Sequence, residues 1–286
     1  MKKLLIAGVV ASMSLTAVAD VSLIGKWKST ITNDNGPSTL VNDLDLTLKG
    51  KVNNDTMITT TFENIGKTDS NTVEVKQMYI QTSIEGLDAK IGKSKGQDGK
   101  GLLQDVSAVS NKITLSTNVG GINVSATQKS GDGNATADIS GEFGGVFLSA
   151  ENVLNSNRFL TGSLSVGNID ILAERQKTTV GTNTGIQLST TMVGVALTGV
   201  YIDVEDTIGV THDGILENIS DANNGSTVKG AVVSLPTLLG DVTGKYIVKN
   251  DLSTVRTELN RGNMTYIYSK TENTDSVLKA ELSVTF

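Results

Sequence analysis

The sequence predicts an all-β fold: a transmembrane, antiparallel, up-and-down β-barrel of 16–18 strands. Three observations predict it. Side chains alternate between apolar and small polar with period two along most of the chain, and no long stretch has a 3.6-residue period. Connections alternate between tight glycine turns and longer polar segments. Pro is nearly absent, 2 residues in 286, while Gly reaches 30. Pro lacks the N–H that a strand ladder needs, and Gly supplies tight turns.

The hairpins can be read in order. Ile113, Leu115 and Val119 alternate with Thr114, Ser116 and Asn118; Gly120-Gly121 follows; then Ile122, Val124 and Ala126 alternate with Asn123, Ser125 and Thr127. A two-residue glycine turn between alternating runs is a hairpin signal. The unit recurs around Gly144-Gly145, Gly167-Asn168, Val193-Gly194 and Gly262-Asn263. Between these lie polar connections at residues 33–37, 65–72, 94–111, 130–134, 178–183 and 205–225. Short turns at one end and long loops at the other are the pattern of outer-membrane barrels.

The hairpin count is 18. It falls to 16 if 227–235 and 242–249, joined by 236–240, are not two strands. Eighteen strands leave about 15 residues for each strand and its connection, and a tilted strand crosses hydrocarbon in about 9–11. A sheet this wide must close, because lipid offers nothing to unpaired N–H and C=O groups. Strand number also sets the orientation. A barrel of 16 or 18 strands is too wide for side chains to fill, so the polar face lines water and the apolar face meets lipid. The aromatic girdle is thin, 11 residues including Trp27, Tyr79, Tyr201, Tyr246, Tyr266 and Tyr268.

The first 19 residues read as a signal peptide. Lys2 and Lys3 precede an apolar run over 4–18, too short for a membrane anchor, and Ala17-Val18-Ala19 is a small-x-small cleavage triplet. Cleavage before Asp20 leaves residues 20–286 as the barrel, 267 in all, with 22 basic and 30 acidic side chains and a formal charge of −8. At the other end Leu278, Ala280, Leu282, Val284 and Phe286 share one face. An amphipathic final strand ending in Phe286 looks like the tag read by the barrel-assembly machinery.

Composition excludes several functions. With no Cys there is neither a disulfide framework nor a thiolate metal site, and a single His rules out a multi-histidine centre. No cofactor is expected. An acidic chain without clustered Lys/Arg is a poor nucleic-acid ligand. His212, beside Asp213, is the one imidazole available for catalysis, and no Ser lies in a Gly-x-Ser-x-Gly turn, so no enzyme is expected. The alternative is a secreted β-rich adhesin or surface-layer protein built as a solenoid. Solenoids repeat at a fixed length, whereas the spacing here varies with the loops.

Five blocks carry a resemblance. They are Asp20-Val-Ser-Leu-Ile-Gly-Lys26; 45–50 with 57–63; Lys76-Gln-Met-Tyr-Ile80 with 85–93; 258–268; and 282–286. In this order they resemble the opening strand, the second and third strands, the hairpin before the constriction loop, the closing hairpin and the terminal strand of the general trimeric porins of Gram-negative outer membranes. Gln81 stands where the family has Gly, most of the family's Arg are Lys here, and the family has 16 strands. The resemblance implies a homotrimer in outer-membrane lipid, passive diffusion of small polar solutes, and an external loop folded into the pore. That loop would be 94–111, with Asp98 and Asp105 as its acids and Lys95 and Lys100 diluting them. Facing bases would be Lys26, Lys49 and Lys90, which alternation points inward, with Lys76 as a further candidate. The inward charges are mixed, and with the net charge of −8 they predict a weak cation preference.

Overall fold

A computed structural model describes residues 20–33, 39–63, 74–96, 102–103, 109–132, 134–205 and 226–285. The proposed signal peptide, Asp98, Asp105, His212 and Phe286 lie outside these residues.

Eighteen strands form one sheet. The first nine are β1 (Asp20–Asn33), β2 (Thr39–Lys51), β3 (Thr56–Glu63), β4 (Glu74–Ile84), β5 (Leu87–Lys95), β6 (Val109–Val119), β7 (Ile122–Lys129), β8 (Thr136–Phe143) and β9 (Val146–Glu151). The others are β10 (Arg158–Val166), β11 (Ile169–Lys177), β12 (Thr182–Met192), β13 (Val195–Val204), β14 (Ser226–Thr237), β15 (Gly240–Lys249), β16 (Leu252–Arg261), β17 (Met264–Thr271) and β18 (Ser276–Thr285). Each strand pairs antiparallel with its chain neighbours, and β1 pairs with β18, so the sheet closes without an edge. The two ambiguous segments are β14 and β15, paired from Val228↔Lys249 to Thr237↔Gly240. Hence the count is 18, and the 16 that the sequence resemblance carried is set aside. The antiparallel closed sheet also overturns the solenoid alternative.

Connections sort by end. At one end all but one are two residues long, the exception being 52–55. At the other end they reach 205–225, with Asn250-Asp251 as a two-residue exception. Both of those residues have positive φ, 47° and 66°, as a twist-matched hairpin turn requires.

The outer wall is apolar. Leu23, Ile80, Leu160, Val255 and Leu278 are large aliphatics left 45–58% exposed, the inverse of a soluble core. A barrel that met water on this face would expose far more contiguous apolar surface than soluble proteins tolerate. Tyr201, Tyr246, Tyr266 and Tyr268 lie on the same outer face. Tyr79 is removed from the expected girdle: it alternates with outward Met78 and Ile80, and its ring lies inside under Lys90, whose Nζ is 4.1 Å from the centroid.

Gly92 sits opposite Tyr79 with φ +128°. A Cβ there would press on the Met78 carbonyl and lie 2.9 Å from the Tyr79 Cα. The close approach of two backbones excludes a side chain.

Candidate functional site

The buried apolar cluster of this barrel lies inside it. It comprises Leu102 and Leu103, from the connection between β5 and β6, with Val200, Ile202, Val204, Val228 and Ile247, and Leu172 packs at its margin. The wall members lie on β11 and β13–β15 and occupy inward positions. On β13, for example, Val200, Ile202 and Val204 alternate with outward Tyr201 and Asp203. From β6 to β11 the wall runs five strand spacings, roughly 24 Å at about 4.8 Å each. Leu102 and Leu103 therefore reach their partners across the lumen.

Two further features fix the loop. Glu174, an inward residue of β11 that is 3% exposed, accepts hydrogen bonds from the backbone N–H groups of both leucines. The distances from its Oε2 are 3.0 Å to Leu102 and 2.7 Å to Leu103. Its Oε1 accepts a longer bond from the Thr161 hydroxyl, 3.4 Å. Gly185 on β12 leaves the space into which the leucines fit: a Cβ there would stand 3.0 Å from both Leu102 Cγ and Leu103 Cδ2. Each buried Leu side chain contributes about 1.5–3 kcal/mol. Hydrogen bonds to a charged acceptor contribute about 1.5–3 kcal/mol each. Together these exceed the roughly 1–2 kcal/mol per residue needed to order a two-residue contact.

Above this latch, towards the long-loop end, the wall is polar and closed. Gln176 and Asn183 are fully buried and bonded to each other at 3.0 Å. Asn183 also accepts the Glu205 N–H at 3.0 Å. The Glu205 carboxylate accepts the Thr182 N–H at 3.0 Å. This network ties β11, β12 and the end of β13 into a stiff platform behind the loop.

The opposite wall is charged. β2 lies nine strands from β11 in either direction round the sheet. On β1 and β2, Lys26 faces Asp45, Lys28 faces Asp43 and Ser22 faces Lys49, all inward. Glu281 on β18 pairs with Lys28 at 2.9 Å and with Lys279 at 2.5 Å. Between the two walls, Glu258 on β16 pairs with Lys245 on β15 at 3.3 Å and with Arg256 at 2.7 Å. Lys76 pairs with Glu63 at 2.5 Å, where a register shift at Thr61/Phe62 turns the start of β4. Lys90 stacks on Tyr79. Among the described residues, Lys26, Lys49 and Lys90 have no carboxylate within ion-pair distance. Thus Lys26, Lys49, Lys76 and Lys90 all project into the lumen from β1, β2, β4 and β5, and among the described residues Lys76 alone of the four is neutralised by a direct pair.

The latch was not anticipated. Alternation along β11 turns Glu174 inward, but its partners belong to a connection 71 and 72 positions earlier. A signal was present in β13 and β14, which are apolar on both faces: Val200, Ile202 and Val204 inside, Leu197 and Tyr201 outside. An apolar inner face in a water-filled barrel needs a cover, and Leu102-Leu103 is the one aliphatic pair in the 94–111 connection.

The chain is thus a closed 18-stranded antiparallel barrel with an apolar exterior, a charged lumen and a connection latched to its inner wall. Solved structures of Pseudomonas aeruginosa proteins share this barrel fold. OccD3 (OpdP) aligns at TM-score 0.65 and 10% identity, over 95% of this chain and 92% of that one. OprD aligns at 0.64 and 11%, over 94% and 96%. OccK2 (OpdF), solved with glucuronate, aligns at 0.66 and 12%, over 94% and 98%. No family model and no curated protein matches the sequence.

Proposed function

We propose that the chain is an outer-membrane porin: a water-filled channel for passive diffusion of small hydrophilic solutes and ions, weakly preferring cations. The observation that carries this reading is the latch. A loop tied to the inner wall through Glu174, opposite a wall of lysines and carboxylates, is what a channel needs to narrow its lumen without a plug. Lys26, Lys49, Lys76 and Lys90 are the proposed constriction bases, and Asp98 and Asp105 of the 94–111 connection the proposed constriction acids. Such an arrangement sets a transverse field that orients polar solutes. Small sugar carboxylates belong among the solutes to test, since one structural neighbour holds glucuronate and three of the four lysines lack a direct ion pair among the described residues.

The rest of the reading rests on sequence. Residues 1–19 are the proposed export signal, Phe286 the proposed assembly tag, and the homotrimer follows from the porin-like blocks.

The experiment is planar-bilayer recording of the purified full chain. Stepwise conductance with a reversal potential favouring cations supports the proposal. Absence of conductance from material that shifts mobility on boiling, and is therefore folded, defeats it. Cross-linking in detergent reads the trimer separately.

A further inference from the structure

The outer wall carries a feature that solute passage does not use. At the long-loop end of β10 and β11, Arg158 and Lys177 are register partners, and Arg175 lies two residues below Lys177 opposite Leu160. Alternation turns all three outward, because their neighbours Phe159, Glu174 and Gln176 are the buried inward residues. All three cations are exposed, and none has an ion-pair partner among the described residues. The nearest outward carboxylate on the neighbouring strands is Asp203, two strands from Arg175 through Thr184. The Glu205 carboxylate is engaged by the Thr182 N–H.

Directly below them the wall is hollow. A groove of about 660 Å³ runs over β8–β12, with Arg175 on its lining. Its floor is made by small outward residues, Gly141, Ala150, Gly162 and Ala173, and its sides by Leu148 and Leu160. Three unpaired cations at the membrane surface above an apolar trough are complementary to an amphiphile with phosphates on its head and acyl chains below. Arginine binds phosphate through a planar fork, and each cation near an anionic membrane surface contributes on the order of 1 kcal/mol.

We infer that the β8–β12 face binds one phosphorylated acyl glycolipid of the outer leaflet, its phosphates on Arg158, Arg175 and Lys177 and an acyl chain in the groove. The inference rests on the outer-membrane location and not on any solute.

The test is native mass spectrometry of the full chain in detergent, titrated with bisphosphorylated lipid A, with its dephosphorylated form and with phosphatidylethanolamine. One bound copy of the bisphosphorylated form, at least tenfold tighter than the other two, supports the site. The combined Arg158→Gln, Arg175→Gln and Lys177→Gln variant should lose that tenfold preference, while Lys270→Gln, an outward lysine of β17, should keep it. Ala173→Phe, which fills the groove and leaves the cations in place, should also weaken binding. Equal affinity for all three lipids, or undiminished binding by the triple variant, overturns the inference. So does disulfide cross-linking of Ala173→Cys between two chains in native membranes, which would place a second copy on this face. Retained bilayer conductance in the triple variant separates failure of this site from failure of the channel.

Discussion

The Oε2 oxygen of Glu174 accepts a 2.7 Å hydrogen bond from the backbone N–H of Leu103, across the lumen from the strands that flank that leucine in the chain. The same oxygen takes the Leu102 N–H at 3.0 Å. Glu174→Ala strands two buried donors, at about 1–3 kcal/mol each, and should release the loop without opening the barrel. The expected outcome is increased open-channel noise and new protease cleavage within 96–108, with mobility on boiling unchanged. Glu174→Gln retains an acceptor oxygen and should show a smaller effect. Identical noise and proteolysis in wild type and Glu174→Ala would remove the latch.

Gly185 tests the same contact from the opposite side. A valine there invades the space of Leu102 and Leu103. Single-channel conductance of Gly185→Val should rise as the loop leaves the wall, and Gly199→Ala, an outward glycine with open space around it, should not change it.

Gly92 bears on folding. Alanine there meets both a left-sided φ of +128° and the backbone of Met78 and Tyr79. Such strain costs of the order of 1–3 kcal/mol. Gly92→Ala should lower the temperature at which the heat-shifted band appears; an unchanged transition would show that the strand relaxes.

Glu258 holds Lys245 and Arg256, both nearly buried. Removing one member of a buried pair costs about 3–5 kcal/mol. Glu258→Gln should destabilise the barrel and, by removing one negative charge from the lumen, move the reversal potential in a KCl gradient towards anions. A shift towards cations would contradict the assigned inward geometry.

Orientation is tested by adjacent residues. Leu115 faces outward and Thr114 inward. Lysine at a mid-membrane lipid-facing site costs about 2–4 kcal/mol. In urea unfolding from vesicles, Leu115→Lys should lose stability of that size and Thr114→Lys much less.

Strands were legible because period two is a local property. Ile113 to Val119 shows its two faces without reference to any other strand, and the closed sheet keeps that assignment. The 18-strand count was readable for the same reason, except at β14 and β15. Pro236 and the apolar Leu238-Leu239 turn obscured that hairpin, and pairing from Val228↔Lys249 to Thr237↔Gly240 resolves it. Tyr79 was misassigned because a girdle aromatic and a lumen aromatic look alike until the partner is seen. Here the partner is Lys90.

Alternation along the chain determined the fold class, the inward direction of Lys26, Lys49 and Lys90, and the apolar exterior, because each follows from neighbours one or two residues apart. The latch was decided only in three dimensions. Glu174, Gly185 and Leu102-Leu103 belong to separate stretches of chain, and nothing local says which loop an apolar inner wall will capture. That choice follows from closing eighteen strands into a ring, which brings β11 and β12 within reach of the connection after β5.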